Sequence, residues 1–87
     1  MKNLAIFASG SGTNALNLVH YFEKSNDIAI KLVLTNNPQA GVIQKIKPYP
    51  IKVVSFTKED WFERDAVRTI LVDNNIDWII LAGFLWL

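Results

Sequence analysis

Residues 4–14 read LAIFASGSGTN. Residues 4–8 form an unbroken apolar run, which reads as a buried strand. Gly10 and Gly12 follow at once, with Ser9, Ser11, Thr13 and Asn14 interleaved, and a helical pattern begins at Ala15. A buried strand that opens through a Gly/Ser turn into a helix can hold a phosphate. The first N–H groups of a helix lack partners within it, and that end carries partial positive charge. The glycines let the backbone bend sharply and approach a ligand without a Cβ in the way. The hydroxyls and the Asn14 amide add donors.

The chain has 87 residues, which is the size of one small domain or part of one. A hydrophobic content of 51% argues for a globular interior and against disorder. Nine basic and eight acidic residues leave a net charge of +1. That balance gives no electrostatic case for nucleic acid or an anionic membrane. Cysteine is absent, so disulfides and thiolate chemistry are excluded, in keeping with a reducing cytoplasm. The N-terminus lacks the apolar stretch and cleavage site of a signal peptide. Residues 78–87 read WIILAGFLWL. This run is too short for a bilayer span, which needs about 20 residues. Left bare it would invite strand pairing and aggregation, so the expectation is a chain cut within a domain. The alternative is a complete small subunit whose tail a partner covers.

Outward from residues 4–14, the pattern alternates. A helix is expected over 13–24, with Ala15, Val19 and Phe22 on one face and Leu18 beside them. A second strand covers 28–35, where Lys31 is the only charge and marks a position near an edge. Asn36-Asn37-Pro38 ends it. A short helix over 40–47 stops at Pro48-Tyr49-Pro50. A third strand covers 51–56. Thr57 then reads as an N-cap, with Asp60 as the returning acid and Phe56 and Trp61 at staple spacing. That helix runs to about Asn74, with Phe62, Ala66 and Ile70 on one face and Val67 and Leu71 beside it. A fourth strand covers 76–82. The order βαβαβαβ predicts an open, Rossmann-like parallel α/β sheet with helices on both faces and strand order 3-2-1-4. The first and fourth strands would then flank a topological switch point, where ligands bind beyond the strands' carboxyl ends.

Gly10 to Ala15 also fits the dinucleotide fingerprint G-x-G-x-x-G/A. A nicotinamide site wants an acid at the end of the second strand. Here that strand ends in Leu34-Thr35-Asn36-Asn37, without acid or arginine. The Walker pattern is absent. A plain Gly-rich turn is the bland alternative. His20, the sole histidine, falls on the polar helix face as a solvated residue. No His, Cys or carboxylate cluster has metal-ligand spacing. The acids Glu59, Asp60, Glu63 and Asp65 read as a solvated face with Arg64 and Arg68, and the tryptophans as packing. These residues amount to an anion cradle without chemistry of its own.

Several stretches together resemble one family. They are Ser9-Gly10-Ser11-Gly12-Thr13-Asn14, then Thr35-Asn36-Asn37, then Ala40-Gly41-Val42, and last Asp77 to Phe84 ending in Leu81-Ala82-Gly83-Phe84. In this order and register the chain resembles the N-terminal half of phosphoribosylglycinamide formyltransferase, the folate-dependent glycinamide ribonucleotide transformylase of purine synthesis. The resemblance implies that Gly12, Thr13 and Asn14 bind the phosphate of glycinamide ribonucleotide, with Gly10 and Ser11 in support. It implies that Leu85, Trp86 and Leu87 begin the segment whose backbone contacts the pterin of 10-formyltetrahydrofolate. Many members carry arginine where Trp86 stands. A basic residue near the start of the third helix helps bind folate in some members, and Lys58 is the nearest here. The family's catalytic asparagine, histidine and aspartate would lie beyond Leu87, so no catalytic residue is assigned and the 87 residues alone are expected to be inactive. The resemblance further implies a cytoplasmic monomer or homodimer without a metal. Two other readings stay open: a non-catalytic small α/β module binding a phosphorylated ligand or a partner, and a nicotinamide-dinucleotide domain.

Overall fold

The computed structural model describes residues 1–57, 60 and 65–82. Its elements are β1 (Lys2–Phe7), α1 (Thr13–Phe22), β2 (Ile28–Thr35), α2 (Gly41–Ile46), β3 (Lys52–Ser55), α3 (Ala66–Asp73) and β4 (Trp78–Leu81). The four strands are parallel and lie in the order β3-β2-β1-β4. This is the expected Rossmann-like sheet, with β1 and β2 inside it.

The pleat divides the core between two faces, because successive side chains of a strand point to opposite sides. Ile6, Ala8 and Val33 face α1 and α2, packing with Ala15, Val19, Val42 and Ile46. Ala5, Phe7, Leu32 and Leu34 face the other way, toward Phe56 and the α3 residue Val67. The apolar runs of β1 and β2 therefore needed no alternation, since helices cover both their faces. Phe7 and Phe56 meet in a tilted ring contact at 6.0 Å.

The helix expected to run unbroken from Thr57 to about Asn74 is interrupted by a turn at Asp65, with α3 starting at Ala66. Other bounds shift by a residue or two, and three further differences have a local physical reason. Helix α1 stops at Phe22, two residues short, because the Ser25 hydroxyl accepts from the amides of Asp27 and Ile28 and turns the chain into β2. Strand β2 is interior, although Lys31 had marked an edge. The pairing with β1 passes from Ile30 to Leu32, so Lys31 is the bulged residue, and pairing with β3 begins only at Leu32. Lys31 thus reaches solvent at an irregularity within an interior strand. Strand β4 is shorter than expected, because Asn74 and Asn75 form a turn before it and Asp77 bonds Asn3 partly through its side chain. Asn75 has φ 54°, and Asp77 exchanges bonds with Asn3 through its carboxylate and its amide, each at 2.8 Å.

The start of the third helical region behaves as its sequence predicts at the two described positions. The Thr57 amide donates to the Asp60 carboxylate and the Asp60 amide to the Thr57 hydroxyl, both at 3.1 Å. This is a capping box with Asp in place of Glu. Trp61, Phe62, Glu63 and Arg64 lie outside the described residues, as do Lys58 and Glu59. Among the described residues, no helix is long and apolar enough to cross a membrane.

Candidate functional site

The strand-to-helix turn sits where the sheet changes direction. From β1 the chain moves to one side through β2 and β3, then returns to the other side as β4. The Ala82 amide donates to the Phe7 carbonyl at 2.8 Å, and the Ala8 amide donates to the Leu34 carbonyl at 3.0 Å. The carboxyl end of β1 is therefore held from both flanks, and the turn that follows opens above the switch point.

Gly12 is the N-cap of α1, with φ 83° and no side chain to cap the helix. The intrahelical ladder starts with the Leu16 amide on the Gly12 carbonyl at 2.8 Å. The cap thus spends no side-chain oxygen on the first-turn amides, and no acid occupies that turn. Positive helix potential at this end stays uncompensated by the helix's own side chains. Gly12 is buried, while Ser11, Thr13 and Asn14 are exposed around it. The Ser11 and Thr13 hydroxyls lie 3.2 Å apart.

The glycines of the loop have separate reasons. A Cβ on Gly12 would stand 2.5 Å from the Val42 Cα, so Gly12 is required by φ and by the close approach of α2. A Cβ on Gly41 would stand 3.2 Å from Ser11 backbone atoms, so the approach is tight from both sides. A Cβ on Gly10 would meet nothing within 4 Å among the described residues. The Gly10 carbonyl accepts from the Val42 amide at 3.3 Å, which ties the loop to the first turn of α2. From that helix Lys45 reaches back, and its ammonium donates to the Thr13 hydroxyl at 3.3 Å.

The structure therefore brings Gly10, Ser11, Gly12, Thr13 and Asn14 together at one end of the sheet. It adds Gly41, Val42 and Lys45, which sequence reasoning did not connect with the loop. Nothing local in residues 40–47 signals that Lys45 points toward Thr13; the contact spans 32 positions. Leu85, Trp86, Leu87 and Lys58, the expected folate contacts, lie outside the described residues. His20 is exposed, as expected, but it is not merely solvated: its Nε2 shares a hydrogen bond with the Tyr49 hydroxyl. That pair bridges α1 to the segment entering β3, away from the loop. A groove of about 320 Å³ opens nearby, beside Val19, Phe22, Ile28, Ile30 and Tyr49. It borders none of the residues 10–14. At the end of β2, the Asn37 amide donates to the Thr35 hydroxyl at 3.2 Å, and no acid stands there for a ribose.

No family model matches the chain. A curated relative does: the phosphoribosylglycinamide formyltransferase of Bacillus subtilis is 28% identical over 98% of this chain. Among solved structures, glycinamide ribonucleotide transformylase 1 of Geobacillus kaustophilus is 33% identical over 100% of this chain, with a TM-score of 0.85. The chain is similar throughout to phosphoribosylglycinamide formyltransferases. A third example, that formyltransferase from Bacillus halodurans, is 30% identical over 99% of the chain, with a TM-score of 0.84. The matched portion is 46% of the Bacillus subtilis protein, and 49% and 47% of the two solved chains. The 87 residues thus span about half the length of these formyltransferases, and the likeness reported from the sequence motifs holds across the whole of that half.

Proposed function

We propose that the chain is the amino-terminal, substrate-phosphate-binding half of a folate-dependent glycinamide ribonucleotide formyltransferase acting in purine biosynthesis in the cytoplasm. One observation carries the reading. A left-handed glycine N-cap leaves the first amides of α1 uncapped by any side chain, at the switch point of a sheet built like that of the formyltransferases. Gly12, Thr13 and Asn14 then hold the phosphate through backbone amides and side-chain donors, and Gly10 and Ser11 shape the approach.

In the reaction, the glycinamide amine attacks the formyl carbon of 10-formyltetrahydrofolate. A tetrahedral oxyanion forms and the amine gives up a proton. The bond to N10 then breaks as N10 takes up a proton, leaving tetrahydrofolate and the formylated ribonucleotide. The groups that stabilise the oxyanion and move the protons belong to sequence after Leu87 in this reading. The contribution of the 87 residues is positional: fixing the phosphate orders the amine relative to the formyl donor and raises its effective concentration. Leu85, Trp86 and Leu87, with Lys58, are proposed to begin the folate wall.

The test is formyl transfer by the full-length protein, with glycinamide ribonucleotide and 10-formyltetrahydrofolate, followed by the mass of the formylated product. Formylated ribonucleotide is expected from the full-length protein and none from residues 1–87 alone. A full-length protein that forms no product, or transfers formyl equally well without its later residues, removes the reading. A second reading, a non-catalytic module that docks a partner, is favoured by one feature of β4. Trp78, Ile79 and Leu81 are 59%, 49% and 49% exposed, leaving apolar area on the strand without cover in the described residues. Binding of a phosphorylated ligand by a full-length protein that does no transfer would select it.

A further inference from the structure

The loop residues 8–14 contain no charged side chain. Backbone amides and a helix end supply only partial charges. A doubly charged phosphate monoester is held better where a full cation also faces it. On the reading that this loop binds phosphate, that cation comes from a different helix.

We propose that Lys45 is a positioning residue of the phosphate loop, orienting the Thr13 hydroxyl as a donor and biasing the site toward dianionic phosphate esters. An ammonium can only donate a hydrogen bond, so at 3.3 Å the Thr13 oxygen accepts from Lys45. The same oxygen lies 3.2 Å from the Ser11 hydroxyl. When Ser11 also donates to it, both lone pairs of Thr13 are engaged, and its own proton is directed away from Lys45. The proton is then free for an anion at the start of α1. Without Lys45 the hydroxyl can turn its lone pairs toward the anion instead, which is repulsive.

The geometry that brings Lys45 to Thr13 is built, not incidental. Gly12 has no Cβ where Val42 passes, and Gly41 has none where Ser11 passes. The Val42 amide is bonded to the Gly10 carbonyl. Residue 45 is one turn beyond Gly41 on the same short helix. These contacts hold α2 against the loop, and the lysine stem needs only to extend along it. Among the described residues no carboxylate pairs with Lys45.

The experiment titrates the full-length protein with ribose 5-phosphate, and with ribose as the uncharged control, by calorimetry at several salt concentrations. Lys45→Gln should weaken ribose 5-phosphate binding about tenfold, the worth of roughly one charge-assisted hydrogen bond. Lys45→Arg should stay within about threefold of the parent, since it keeps a donor cation. The affinity of the parent should fall more steeply with salt than that of Lys45→Gln. Thermal melting should not move for either variant, because Lys45 is exposed. If Lys45→Gln binds like the parent while Asn14→Ala loses affinity, the loop binds phosphate and the role of Lys45 is overturned. Equal losses in the Gln and Arg variants overturn it too, because charge would then not matter. If the parent itself does not bind ribose 5-phosphate, the phosphate reading fails, and this inference with it.

Discussion

The two flanks of β1 are built differently. On one side stand β2, α1 and α2. Leu32, Val33, Leu34 and Thr35 of β2 are all fully buried, and Val42 and Ile46 close the layer above them. On the other side stands β4, four residues long, of which only Ile80 is even half-buried. Both flanks use the same parallel pairing to β1. Pairing alone therefore does not make a strand part of a core; cover on its faces does. The Gly/Ser loop is attached to the covered flank, where Gly12 and Gly41 let two helices meet, so its geometry rests on that packing. The β4 flank is held to the sheet mainly by backbone bonds and by the exchange between Asn3 and Asp77.

The contrast can be broken first by truncation. Leu32→Ala, in the covered flank, should cost about 2–5 kcal/mol of stability, through lost apolar transfer and the cavity left behind. Ile79→Ala, on the open flank, should cost about 0.5 kcal/mol, because the side chain is half in water already. Urea unfolding of both variants measures the gap, and equal losses would erase the distinction. Next is Gly12→Ala. Its left-handed φ costs an alanine about 1 kcal/mol or more. The contact at 2.5 Å from Val42 adds a further cost of about 1–3 kcal/mol. A drop in melting temperature with ligand absent is the check. Because this variant disturbs packing, it is a poor probe of the ligand.

Gly10→Ala is the sharper probe. Among the described residues the methyl group meets no atom within 4 Å, so stability should change by no more than about 0.5 kcal/mol. Affinity for ribose 5-phosphate should fall severalfold if the anion approaches the loop backbone there. Unchanged affinity would move the anion elsewhere. The smallest effect on ligand binding is expected from His20→Ala, although it removes the bond to Tyr49 and about 1 kcal/mol of stability. Ribose 5-phosphate affinity should not change, since the pair lies away from the loop. A loss matching that of Gly10→Ala would join the two regions functionally.

Much of the fold was legible because its signals are local. The apolar runs at β1 and β2 and the Gly/Ser turn each depend on residues adjacent in sequence. Thr57 and Asp60 announced their reciprocal bonds by spacing alone, and the structure forms both. Lys31 misled because a charge in a strand reads as an edge, whereas a bulge offers the same escape to solvent within an interior strand. His20 was half legible. Its exposure followed from helix periodicity, but its Tyr49 partner is 29 positions away. The turn between β1 and α1 falls where the glycines predicted it. Its dependence on α2 was not legible, because no short-range pattern records which helix will lie across a turn.

By itself the sequence determined the alternation of elements, the strand-turn-helix at residues 4–14, and the absence of charge within that turn. These follow from hydrophobic periodicity and from the backbone freedom of glycine, which act over a few residues. Only the tertiary structure decided that Gly12 and Gly41 are mutual clearances, that Lys45 arrives at Thr13, and that Trp78, Ile79 and Leu81 of β4 stand exposed on the far flank. Those outcomes depend on which surfaces pack together once the sheet has closed its order, and packing brings together residues that are remote along the chain.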